Sequence, residues 1–288
     1  MVLFFINILN GISFGMILFL IAIGLSITLG VMGILNLAHG ALFMIGGFVG
    51  YTLVTHGVNF WLAVLIGGVG AGLVGLIAER VFLSRLYKQF DNQVLLTLGL
   101  VYIIQNLSLW IYGGAAKSFS APVYLKFAVA IGDYRFPAYR LTLIALGAVL
   151  LVILWLVIER TKLGSIVRAG MDDKEMAMGL GLNYPLTCSL VFAFGAFVCG
   201  LAGVLAAPII GVVHSMPMEI LLYAMIVVIV GGTGSVSGTF LAALVIGIVD
   251  SIGKAYFPDF ALFTIYIVFI GVLLIKPAGL MGKKALSG

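Results

Sequence analysis

The chain has 288 residues, of which 63% are hydrophobic and 9% charged, with a mean hydropathy of +1.29 and a formal net charge of +5. Soluble domains carry roughly 25% charged residues, so a water-soluble fold of this length could not hide so much apolar surface. The basic residues stand singly or in pairs at the ends of apolar runs and form no stripe, which excludes a nucleic-acid surface.

About 20 apolar residues cross a bilayer as a helix. Residues 4–31 open the chain with such a run, and because the N-terminus lacks a basic n-region and a small-residue cleavage site, this run is expected to be retained as a helix. Residues 33–40 (GILNLAHG) break the pattern and lead into a short run at 41–55. Long runs follow at 60–78 and 94–112, joined by a short charged loop over 80–92. Residues 113–139 form a loop with aromatic residues, Pro122 and Pro137, ahead of the run 141–158. The stretch 159–183 is the most polar in the chain. The run 186–207 follows it, carrying Cys188 and Cys199, which on a helix stand about 16 Å apart, too far for a disulfide. A short run at 218–230 ends in residues 231–238 (GGTGSVSG), and runs at 239–251 and 260–275 close the chain. The expectation is an all-α, polytopic transmembrane helix bundle, a single domain over 1–288, with two Gly-rich helix breaks. It has eight to nine crossings, the count turning on the three short runs.

Lys and Arg set the orientation. Arg80, Arg85, Lys88, Arg160, Lys162, Arg168, Lys174, Lys276, Lys283 and Lys284 fall on one side of a nine-crossing arrangement, against Lys117, Lys126, Arg135, Arg140 and Lys254 on the other. The excess places the C-terminus and the 159–183 loop in the cytoplasm. With nine crossings the N-terminus lies outside, and with eight it lies inside.

Three stretches carry candidate chemistry. In 33–40, Asn36, His39 and Gly40 stand between two membrane runs. Unpaired backbone at membrane depth costs several kcal/mol per group and is tolerated only against protein or a water-filled cavity. The break therefore lines a solute path, with Asn36 or His39 offering it a hydrogen bond, or else is an interfacial loop with His39 at the headgroups. In 231–238, Thr239 and Phe240 replace the Lys-Ser/Thr of a phosphate-binding loop, and the glycine spacing is one residue too long for a dinucleotide fingerprint. Gly231, Gly232, Thr233, Gly234, Ser235 and Gly238 then read as a discontinuous helix beside a substrate path or as close packing through small residues. Paired interruptions in the two halves of a chain point to a repeat-built transporter. In 159–183, Asp172 and Glu175 fit a capping box, with Gly179 or Gly181 as the stop. A short helix around 173–178 would lie on the membrane surface, its Met176, Met178 and Leu180 entering a partner's groove or resting on the bilayer.

Glu219 and Asp250 lie near run ends and are expected at the interface, whereas Gln105 and Asn106 fall inside a run and are expected to face the bundle interior or the path. His39, His56 and His214 are scattered, so no metal site is expected, and no catalytic motif is present; the chain does not read as an enzyme. A self-sufficient carrier or channel for a small solute would call for an embedded ion or proton relay.

The segments 33–40, 168–183, 200–206 (GLAGVLA), 231–238 and 276–283 (KPAGLMGK) together resemble the permeases of branched-chain amino acid ABC importers, the smaller of their two permease types. The resemblance implies a second permease subunit as partner, two ATPase subunits beneath the pair holding ATP and Mg, and a periplasmic substrate-binding protein, in a bacterial inner membrane. No cofactor is implied on this chain. It also implies that Arg168, Ala169, Asp172, Glu175, Met176, Ala177, Met178, Gly179 and Leu180 form a coupling helix docked on an ATPase. The solutes of such systems are branched-chain amino acids or related small polar and carboxylate compounds.

Overall fold

The computed structural model describes residues 2–87, 89–132, 134–179 and 181–282. Eleven α-helices are seen among them: α1 (Val2–Met32), α2 (His39–Thr55), α3 (Phe60–Val81), α4 (Phe90–Tyr112), α5 (Ala138–Arg160), α6 (Lys162–Asp172), α7 (Lys174–Gly179), α8 (Tyr184–Ile210), α9 (Pro217–Gly231), α10 (Val236–Tyr256) and α11 (Ala261–Ile275). Six helical segments are long and apolar enough to cross a membrane, and α2, α9 and α11 are shorter apolar helices.

Local chemistry sets the helix ends. Asn59 caps α3 by accepting from the Trp61 amide at 2.9 Å, and Asn183 caps α8 by accepting from Leu186. Pro217 opens α9, where a missing amide costs nothing. Gly113 (φ 79°) and Gly211 (φ 72°) end α4 and α8 in a backbone conformation that L side chains rarely adopt.

The expected helix bundle carries one addition, in the 113–139 loop. Ala128–Ile131 (β1) and Tyr134–Pro137 (β2) pair as an antiparallel hairpin, with Ala128 opposite Pro137. Alternating small, branched and aromatic residues beside Gly132 (φ 60°) are hairpin chemistry. Four-residue strands are too short to register in a scan for spans of about 20 residues.

At the centre, α1 and α8 are mostly buried, while α4 and α5 are mostly exposed and form the periphery. The central pair touches backbone to backbone: a Cβ added to Gly24 would stand 2.5 Å from the Gly195 carbonyl oxygen. Without a hydrophobic force between helices in lipid, such small-residue seams let dispersion and close approach hold the bundle. α8 also packs along α2 and α3, and α1 packs along α9 and α10.

Candidate functional site

The chain is non-helical over 33–38, between α1 and α2, and over 232–235, between α9 and α10, and the surroundings of the two stretches differ. Asn36, between α1 and α2, and His39, the first residue of α2, are 2% and 1% exposed. Asn36 Oδ1 accepts from the Ala38 amide at 3.0 Å, and His39 Nε2 meets the Ile21 carbonyl at 2.8 Å. The Cys199 thiol donates to the His39 carbonyl at 3.4 Å. Gly40 lies against the start of α9, where a Cβ would stand 1.9 Å from the Pro217 carbonyl oxygen. Ile21 is eleven residues from the end of α1, about 16 Å along its axis, so α2 begins well inside the bundle. In this structure these groups fasten backbone internally.

The α9–α10 turn is open on one side. Thr233 is exposed, Gly234 and Ser235 are partly exposed, and Gly231 and Gly232 are buried. Ser235 Oγ caps α10 by accepting from the Gly238 amide at 3.0 Å. The Gly234 amide (φ 76°) donates to Ser26 Oγ of α1 at 2.9 Å, and Thr239 donates to the same oxygen at 3.2 Å. Residues 276–282 fold back beneath α9, where the Leu280 and Met281 amides donate to the Val230 and Gly231 carbonyls at 2.7 and 3.1 Å. Those carbonyls are among the four that a helix end leaves open.

Arg168, Met171 and Asp172 of α6 face this turn across a cavity of about 630 Å³, which Thr233 and Ser235 also line. The structure thus brings together the 231–238 break and the polar 159–183 segment, which the sequence offered as separate features. The resemblance implied one coupling helix over Arg168 to Leu180; the chain instead breaks at Asp173, and a helix reaching back to Lys162 was not expected. Thr161 starts it, accepting from the Gly164 amide at 3.1 Å, and its buried face is Gly164, Val167 and Gly170. The expected short helix is present as α7, with its cap moved by one residue: Asp173, not Asp172, accepts from the Met176 amide at 2.9 Å. Asp172 still belongs to the last turn of α6. Ala169 is half-buried and Ala177 buried, while Glu175, Met176, Met178 and Gly179 are exposed. Leu180 lies outside the described residues.

Gln105 and Asn106 are not drawn into this region. Gln105 is half-buried, and Asn106 is exposed, its amide donating to the Tyr102 carbonyl one turn back on α4. Asp250 is 4% exposed, accepts from Tyr223 at 3.1 Å and pairs with Lys254 at 2.7 Å. Its neighbour Ser251 bonds the Asn7 carbonyl near the start of α1, so Asp250 stands near one end of the bundle yet inside it.

Glu79 is the polar group that sequence reasoning missed. It is fully buried and accepts from Tyr87 and Ser189. Its position directly before Arg80 disguises it as the first charge of a loop. The available signal was spacing: Gly68, Gly72, Gly75 and Glu79 recur at four, three and four, one helical face, and those glycines are where α3 presses on α8. Among the described residues no group of three or more His, Cys, Asp or Glu could hold a metal ion.

Residues 7–273 match the protein family described as branched-chain amino acid transport system, permease component. The chain is similar to the high-affinity branched-chain amino acid transport system permease protein LivH of Salmonella typhimurium LT2, with 28% identity over 95% of this chain and 94% of that one. It is also similar to the corresponding permease protein LivM of Escherichia coli K12, with 25% identity over 92% of this chain and 68% of that one. Among solved structures, a chain of PsaBC from Streptococcus pneumoniae in complex with Fab aligns with a TM-score of 0.52 and 13% identity, covering 92% of this chain and 89% of that one. That likeness is one of fold.

Proposed function

The chain belongs to the branched-chain amino acid transport system permease family, and on that premise we propose that it is the smaller membrane-spanning subunit of an ATP-driven importer for branched-chain amino acids or related small polar or carboxylate solutes. It pairs with a second, larger permease subunit. Two ATPase subunits, carrying ATP and Mg, dock on its cytoplasmic face, and a periplasmic binding protein delivers the solute. The match spanning nearly the whole chain carries this reading.

The chain makes nine crossings, α2 and α9 being the short ones at about 25 and 22 Å by helical rise against a hydrocarbon core of about 30 Å. Arg80, Arg85, Arg160, Lys162, Arg168 and Lys276 gather at the end of the bundle that holds α6 and the α9–α10 turn. That bias makes this end cytoplasmic, in a bacterial inner membrane, and puts the N-terminus outside. The α6–α7 pair is the coupling segment. Leu163, Met176 and Met178 are 63%, 65% and 43% exposed, an apolar surface at the cytoplasmic end suited to an ATPase cleft. The α9–α10 turn, with Thr233 and Ser235 facing the cavity, is the inner end of the solute path. Asn36, His39 and Gly40 act at one remove, by fixing where α2 starts beside α9.

The test is reconstitution with the partner subunits in proteoliposomes, following leucine uptake driven by ATP and the binding protein. Uptake by this chain alone, indifferent to ATP, would overturn the reading. In the same system, replacing Met176 and Met178 with Asp should leave ATP hydrolysis running while uptake falls about tenfold. Unchanged uptake would remove α7 as the docking face.

A further inference from the structure

α6 is tied to the bundle at both ends. Near its start, Gly164 lies so close to α5 that a Cβ would stand 2.0 Å from the Ile158 carbonyl oxygen. Arg168 donates to that same carbonyl and pairs with Glu159 at 3.3 Å. At its other end, Met171 reaches over the seam between α1 and the α9–α10 turn. A Cβ on Gly30 would lie 3.1 Å from Met171 Cε and 3.1 Å from Gly234 Cα, and a Cβ on Gly234 would lie 2.9 Å from Met171 Sδ. The thioether therefore fills a notch whose two walls are glycine backbone.

The turn beneath it is also held from α1 and from the 276–282 segment, while Thr233 stays exposed on the cavity side. Ser26 of α1 takes the Gly234 amide, and the amides of Leu280 and Met281 take the last carbonyls of α9. Close-packed interiors transmit displacement instead of absorbing it, and an unbranched, polarizable Met side chain conforms to an irregular notch better than a branched one. A shift of α6 along or away from the membrane must then either carry the 232–235 turn with it or vacate the notch. Packed elements of this kind have discrete arrangements, not a continuous range.

We propose that Met171 is the positioning residue that passes movement of the α6–α7 surface helices to the α9–α10 turn, and so to the inner end of the solute path. This rests on the importer reading. Met171 acts through its packing on Gly30 and Gly234.

The experiment uses the whole reconstituted importer and reads solute imported per ATP hydrolysed. Met171→Ala should assemble and hydrolyse ATP as the parent does, with the ratio of uptake to hydrolysis falling about tenfold. Met171→Leu, which keeps most of the volume, should stay within about threefold of the parent. An unchanged ratio in Met171→Ala would reduce Met171 to packing and overturn the proposal. If Met171→Ala fails to assemble, Met171→Cys supplies the second measurement. Its alkylation by a maleimide should change several-fold between nucleotide-free and ATP-vanadate states, and an unchanged rate would equally overturn the proposal. A parent complex with no ATP-driven uptake at all is a different result, which sinks the importer reading itself.

Discussion

Residues 33–40 and 231–238 look alike in the sequence: each follows an apolar run, mixes glycine with small polar residues, and leads into a further apolar run. In the fold they part company. The first is closed, with Asn36 and His39 buried against backbone and Gly40 pressed on Pro217. The second is open, with Thr233 and Ser235 on a cavity shared with α6. A glycine-rich interruption announces that backbone groups have left the helix. Where those groups find partners depends on what lies opposite. In one case the neighbouring helices supply them. In the other, α1 and the 276–282 segment supply part, and the cavity takes the rest.

The sharpest way to break this contrast is Gly40→Leu. The side chain would start 1.9 Å from the Pro217 carbonyl oxygen, so backbone has to move, and a loss above about 4 kcal/mol is expected. Almost no folded complex should be recovered by gel filtration after detergent extraction. A normal yield would show that the first connection has slack and is not closed. Gly234→Val comes next. Its cost is strain at φ 76° plus crowding of Met171, about 1–3 kcal/mol. The complex should assemble, while uptake per complex falls about tenfold; parental uptake would mean that the second break is passive packing. The smallest effect belongs to Asn36→Ala, which removes one hydrogen bond to the Ala38 amide, worth about 1 kcal/mol. The melting temperature of the complex should fall by a few degrees with uptake per complex unchanged. A selective loss of uptake would place Asn36 on the solute path after all.

The candidate site was legible in its parts. Both interruptions, the polar 159–183 segment and its short helix could be read from composition and capping residues. The cap itself slipped from Asp172 to Asp173 because two adjacent aspartates satisfy the same local rule, and the choice fell to where α6 stops. α6 escaped notice because its apolar face is made of Gly164, Val167 and Gly170, two of which contribute almost no hydrophobicity to a sequence pattern. The β1–β2 hairpin was lost to the same emphasis on long apolar runs. Gln105 and Asn106 stood out as polar residues in a membrane run, yet Asn106 bonds within its own helix. Glu79, the more buried group, was hidden beside Arg80.

Hydropathy, glycine and proline act through a residue's own backbone and its immediate solvent, and therefore the sequence alone determined that the chain lives in a membrane and where its long apolar helices run. The tertiary structure decided which polar groups are buried, which break opens on a cavity and what touches it. Ser189 reaches Glu79 across 110 residues, and Ser26 reaches Gly234 across 208. Such pairings depend on which helix faces which, and no local pattern contains that information.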